Sequence, residues 1–253
     1  MFKRLFLTTA ALLIILTGPA IAEQETERST ALKVQVRSLD AKFIGTGVGG
    51  LNVSIIDLET GAVLDQGRIE GATGNTGDMM TTGQTRGLTP SAPASASWTA
   101  HLAIDEPTQV AIEVTGPLDV AGSIRHQRTS FWMLPGVDRV DPPLVLHLPG
   151  LIVDAVAIDA EEAALQITSA VTMLCGCPIN EDGLWRAGDF SVRALLYRGD
   201  EVVATTDLAF TGTTNQFAGR MEGLEAGDYR LFLTAHQHST ANTGVFEQPI
   251  RLP

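Results

Sequence analysis

Tyr229-Arg-Leu231-Phe-Leu233-Thr-Ala235-His236-Gln-His238 alternates two kinds of position along its length. A period of two is that of a β-strand with one buried face. It puts Tyr229, Leu231, Leu233 and Ala235 on a core side and Phe232, Thr234, His236 and His238 on the other. The same alternation recurs at Leu32, Val34 and Val36, at Leu51, Val53 and Ile55, and at Val110, Ile112 and Val114. Leu165, Ile167, Val171 and Met173 keep it as well. Glycine is frequent, heptads that favour helices are absent, and β-branched residues come in short runs between turn residues. The chain therefore reads as all-β, with two tandem antiparallel β-sandwich domains.

Six or seven short strands within residues 31–148 predict the first sandwich, and Pro149-Gly150 marks its end. The expected units are an N-terminal domain over 23–150 and a C-terminal domain over 151–253. Residues 71–97 break the strand pattern with Gly, Thr, Ser, Pro and Ala, and read as a long loop with Met79-Met80 as its only bulky pair. Residues 23–30 are polar and read as a frayed leader.

Residues 1–22 carry Lys3 and Arg4, a largely apolar stretch from Leu5 to Leu16, and Ala20-Ile21-Ala22. That is the three-part pattern of a cleavable signal peptide. The apolar stretch is shorter than the roughly 20 residues of a spanning helix. The expectation is a periplasmic or secreted protein without a membrane span. Losing Lys3 and Arg4 lowers Lys+Arg from 17 to 15 against 29 acids, a net charge of −14. Such a field repels nucleic acid and anionic membrane surfaces, and suits cations or basic partners.

Gly45-Thr-Gly47-Val-Gly-Gly50 matches a dinucleotide-binding pattern only formally. The pattern must open a helix, and here the strand-like Leu51-Asn-Val53-Ser-Ile55 follows. A glycine-rich loop between strands fits better. No nucleophile-elbow, zinc-protease, phosphate-loop or calcium-loop motif is present, and nothing in the sequence asks for an enzyme.

Leu224-Glu-Ala-Gly-Asp-Tyr229-Arg-Leu-Phe-Leu233 resembles the approach to the penultimate strand of immunoglobulin-like and fibronectin-like domains. The resemblance covers residues 151–253 and implies shape, not activity. It implies that Tyr229 bonds back to the backbone at that corner. Leu231 stands where immunoglobulin domains carry their second inter-sheet cysteine, so that bridge is missing.

The two cysteines of the chain lie in Met173-Leu-Cys175-Gly-Cys177-Pro178. On a continuing strand Met173, Cys175 and Cys177 share one face and present three soft sulfur donors, which suit Cu(I). The immunoglobulin-like topology brings the end of this strand and the end of the Tyr229 strand to one pole. Cys175, Cys177, His236 and His238 then converge as copper ligands, with Met173 as a further donor. The competing reading is a Cys175–Cys177 disulfide, which export favours. Residues i and i+2 of a straight strand lie roughly 6.6 Å apart, while bridged Cβ atoms lie near 3.8 Å, so Gly176 must turn the chain. The functions that follow are copper binding or, alternatively, a non-catalytic interaction or assembly module that docks an envelope protein. For the histidines alone, an exposed strand face is the plainer reading.

Overall fold

The computed structural model describes residues 29–81 and 95–253. The segment read as a signal peptide, residues 1–22, lies outside them, as do residues 82–94 of the long loop. The chain is all-β. Strands β1 (Ser29–Ser38), β2 (Leu51–Asp57), β3 (Val63–Ile69), β4 (Trp98–Ala103), β5 (Thr108–Gly116), β6 (Arg125–Met133) and β7 (Arg139–Leu148) come first. They form two facing sheets, ordered β4-β1-β7 and β3-β2-β5-β6. Leu32, Val34 and Val36 of β1 and Val110, Ile112 and Val114 of β5 are buried, as their alternation predicts. Burying each such side chain stabilises the fold by about 1.5–3 kcal/mol.

Two expectations need correction here. The sandwich is not wholly antiparallel, because β1 and β7 run parallel, pairing Val34 with Leu144 and Val36 with Leu146. First and last strands of a unit can lie this way because the five strands between them carry the chain back. The leader is also shorter than residues 23–30. β1 begins at Ser29, and buried Thr30 accepts a hydrogen bond from the Gly136 amide at 2.8 Å. The long loop is anchored at both ends by bridges between Glu70 and Ser97 and between Ala72 and Ser95. Met79 is buried, and its carbonyl accepts from Arg37 at 2.9 Å.

The remaining strands are β8 (Leu151–Glu161), β9 (Ala164–Met173), the two-residue pair β10 (Ile179–Asn180) and β11 (Trp185–Arg186), β12 (Phe190–Arg198), β13 (Glu201–Phe210), β14 (Gln216–Glu222), β15 (Gly227–Gln237) and β16 (Thr243–Leu252). Apart from β10 and β11 they form one hydrogen-bonded series, β16-β15-β12-β13-β14-β9-β8. It folds over on itself at β13. Most of β13 pairs with β12, while Ala209 and Phe210 pair with β14. The two layers are thus β8-β9-β14 and β16-β15-β12, the immunoglobulin-like arrangement. The outermost strands close on each other. At Gly244 of β16 a Cβ would stand 2.7 Å from the Leu151 carbonyl oxygen of β8. Only a residue without a side chain lets the two backbones approach this closely.

Tyr229 is buried, and its hydroxyl donates to the Glu225 carbonyl at 2.6 Å. That is the corner bond the resemblance implies, and Arg198 donates to the same hydroxyl. Replacing Tyr229 with Phe keeps the ring packing and removes this bond. Tyr229→Phe should lower stability by about 1–2 kcal/mol, read as a reduced urea midpoint with an unchanged slope.

Candidate functional site

β9 stops at Met173, and the next residues form a tight turn instead of continuing the strand. The Gly176 amide donates to the Met173 carbonyl at 2.8 Å, and the Met173 amide donates to the Cys177 carbonyl at 3.1 Å. Gly176 has φ +76°, a left-handed conformation that suits glycine. Pro178 comes back to bridge Thr172. The row of three sulfurs that a continuing strand would present does not form. Cys175 and Cys177 are instead joined to each other as a disulfide with Cα atoms 5.4 Å apart. Each is 4% exposed, and Met173 lies wholly in the core.

This turn rests on the first seven strands. A Cβ at Gly176 would lie 3.0 Å from a methyl of Val48. Val48 belongs to the glycine-rich stretch Gly45–Gly50, which forms a short 3-10 turn and leads into β2 as an inter-strand loop. The two segments that stand out in the sequence therefore pack against each other. Neighbouring contacts extend the junction. Trp185 is buried, and its indole N–H donates to the Asp40 carbonyl at 2.8 Å.

At the centre of the junction lie two buried amides. Gln237 is 1% exposed and Asn242 is 0% exposed. The Gln237 amide nitrogen reaches the carboxylates of Asp40 at 2.9 Å and Asp189 at 3.1 Å. Its carbonyl oxygen accepts from Thr240 at 2.8 Å and from Asn242 at 2.9 Å. Asn242 also donates to the Leu39 carbonyl at 3.0 Å and accepts from the Gly150 amide at 2.8 Å. Asp189 accepts from the Ser239 amide at 3.0 Å and from the Ser239 hydroxyl. Burial pushes the Asp189 carboxyl up, but the bonds from Ser239 and Gln237 and the nearby His238 outweigh it. They hold the carboxyl below its ordinary value.

His236 and His238 point away from the core, as the alternation predicts. Their rings are 5.5 Å apart, and Nε2 of His238 is 2.8 Å from the Ser191 hydroxyl. The structure thus brings together each pair that the sequence singles out, the cysteines with each other and the histidines with each other. It buries the first pair and exposes the second. Among the described residues no three His, Cys, Asp or Glu side chains gather at metal-binding separations. The same pole borders a cleft of about 520 Å³, lined by Asp119, Val120 and Ser123 on one side and Asp154, Phe246 and Glu247 on the other.

The alternation gave no weight to Asp40, Asp189, Gln237 or Asn242. Gln237 did leave a signal. It follows Leu231, Leu233 and Ala235 on the core face, where a polar side chain has to find partners.

No protein-family model matches the sequence, and no curated protein matches it. Among solved structures, a DUF3823 family protein from Bacteroides ovatus is similar at 9% identity, with a TM-score of 0.32 over 87% of this chain and 97% of its own. The chicken interferon gamma receptor alpha chain is similar at 9% identity and TM-score 0.32, over 89% and 98%. The fimbrial anchor protein Mfa2 from Porphyromonas gingivalis gives 12% identity and TM-score 0.21, over 87% and 82%. Likenesses this distant carry no argument about ligand or partner. The immunoglobulin-like assignment of the later strands stands on their own pairing and on the Tyr229 corner.

Two outcomes are expected from the junction. Asn242→Ala removes three buried hydrogen bonds and should cost about 2–4 kcal/mol, measured by chemical denaturation. The depressed Asp189 carboxyl contributes stability above its ordinary value of 3.8 and loses it as pH falls through the lower folded value. Melting scans should show Asp189→Asn less stable than the parent at pH 7, with the difference shrinking as pH falls below the ordinary carboxylate value and through the lowered one.

Proposed function

We propose that this chain is an exported, non-catalytic interaction module of the cell envelope, working in the periplasm or outside the cell. The observation that carries this reading is the use made of the loop pole of the later strands. In immunoglobulin-like domains the loops at such a pole are available for binding. Here the turns around Cys175–Cys177, Trp185 and Asn242 are covered by Asp40, Leu39 and Val48 of the first half. The buried amides at this pole bond to one another, to the backbone and to the carboxylates of Asp40 and Asp189, so the cluster fixes the geometry of the junction. A surface left for a partner lies at the far end of the first half, where Trp132 and Val137 are 61% and 57% exposed. Among the described residues no helix is long and apolar enough to cross a membrane.

A photo-cross-linker at position 132 should yield a protein adduct in envelope fractions, while one at exposed position 203 should not. Equal labelling from both positions, or none from 132, would count against the reading.

A second reading is favoured by the adjacent imidazoles of His236 and His238. In it, reduction frees Cys175 and Cys177 as thiolates for Cu(I), with the two histidines in support and Met173 supplying a thioether. The burial of Met173 and of both cysteines means that the turn must first leave its packing on Val48. The two readings separate in a thiol assay followed by anaerobic Cu(I) titration. The module reading expects no free thiol before reduction and no stoichiometric copper after it. The copper reading expects one equivalent bound, with both thiols protected.

A further inference from the structure

The edge of a β-sheet presents unpaired N–H and C=O groups, and proteins blunt such edges with proline, charge or a covering element. In this molecule the edges are treated unequally. β8 and β16 close on each other at Gly244. β3 and β4 are continued into one another by the Glu70–Ser97 bridge. β7 carries Pro142 on its exposed stretch, followed by the buried Pro143. Among the described residues β6 has a strand partner, β5, on one side only. Its charged residues, Arg125, His126 and Arg128, lie in its first half. Arg125 is turned to the junction, where it donates to the Thr243 carbonyl at 3.3 Å. Thr129-Ser-Phe-Trp-Met133 then runs outward with no charge, no proline and no glycine. That composition fits pairing with another strand and is the one a bare edge normally avoids.

The surroundings of this stretch say what would lie on it. Phe131 and Thr129 face inward and are half-buried, while Trp132 and Ser130 face outward. Leu134 and Val137, 47% and 57% exposed, flank the turn that follows. Trp132 forms one wall of a cleft of about 480 Å³ whose other walls include Asp57, Glu59 and Glu106 and no basic residue. None of these three carboxylates has a basic partner at ion-pair distance among the described residues. An exposed indole face and unpaired carboxylates recognise the same thing, a lysine or arginine side chain. The chain's own Glu23–Glu27 stretch has the wrong charge for this place.

We propose that β6 adds a strand along Thr129–Met133, contributed by an extended segment of a partner protein in which apolar residues alternate with lysine or arginine. Main-chain hydrogen bonds to the open edge hold the segment. Its apolar side chains pack beside Thr129 and Phe131, whose ring also meets the Arg139 guanidinium at 4.9 Å, and its basic side chains lie beside Trp132 on the side of Glu106. The inference rests on the interaction-module reading and adds the chemistry of the partner.

The test uses the full chain and a fluorescein-labelled, end-blocked octapeptide that alternates valine and lysine. Saturable binding in anisotropy is expected, weakening with salt. Trp132→Ser and Glu106→Lys, both at exposed positions, should each weaken it at least tenfold. A probe N-methylated at alternate residues should not bind, nor should one with glutamate in place of lysine. Absence of saturable binding overturns the proposal. So does undiminished binding of the N-methylated probe, or of the parent probe to Trp132→Ser, since either indicates charge attraction without strand pairing. A dimer in sedimentation that Trp132→Ser dissolves also overturns it, by making a second copy the occupant. If the probe fails while position 132 still cross-links an envelope protein, the interaction reading stands and the strand chemistry falls. If both fail, both readings fall.

Discussion

Burying Gln237 and Asn242 is the constraint on which the arrangement of the molecule depends. An amide withdrawn from water without a partner costs on the order of 1–3 kcal/mol, and these two have almost no contact with solvent. Besides each other and the turn between β15 and β16, their partners come from three places in the chain: Leu39 and Asp40 after β1, Gly150 before β8, and Asp189 before β12. Apolar packing at Val48 and Trp185 tolerates small slips, but this set of directed bonds does not. Satisfying all of them at once selects one placement of the later strands against the earlier ones.

That placement decides which surfaces remain. Loops that could present a binding site are turned inward, and the outer histidines sit on a strand face beside Ser191. The disulfide ties a short turn with no intervening loop of any size, so its effect is local. It shapes the turn that meets Val48. The nine surface ion pairs among the described residues join side chains that are all at least 40% exposed. Pairs of this kind each contribute little, and the fold rests on its core and on the junction.

Most of the fold was legible in the sequence, because a period of two has one physical meaning. Leu165, Ile167, Val171 and Met173 are buried on one face of β9, and the Tyr229 corner forms as its motif implies. Gly176 takes the conformation that pairing its flanking cysteines requires. The site was less legible. Reading Met173, Cys175 and Cys177 as one strand face assumed that alternation continues after Met173, and a turn intervenes. The parallel β1–β7 pair left no local trace, since register between distant strands is set by their neighbours. Asp40 and Asp189 look like ordinary acidic turn residues until the amide they meet is known.

The hydrogen bonds at the junction span most of the chain. Gln237 and Asp40 are 197 positions apart, and Asn242 and Leu39 are 203 apart. β1 meanwhile waits for β7, whose Leu144 pairs with Val34. A chain that emerges N-terminus first therefore exposes its earliest apolar strand while more than half its length is still to come. Contacts this distant in sequence make folding slow and leave intermediates with open edges. Until the last two strands arrive, the Leu39 carbonyl and the Asp40 carboxylate lack the amides of Asn242 and Gln237. The tail of this protein thus acts as the latch for its head, and a chain cut short before Asn242 would hold every strand of the first sandwich yet lack the amide that ties Leu39, Gly150 and Gln237 together.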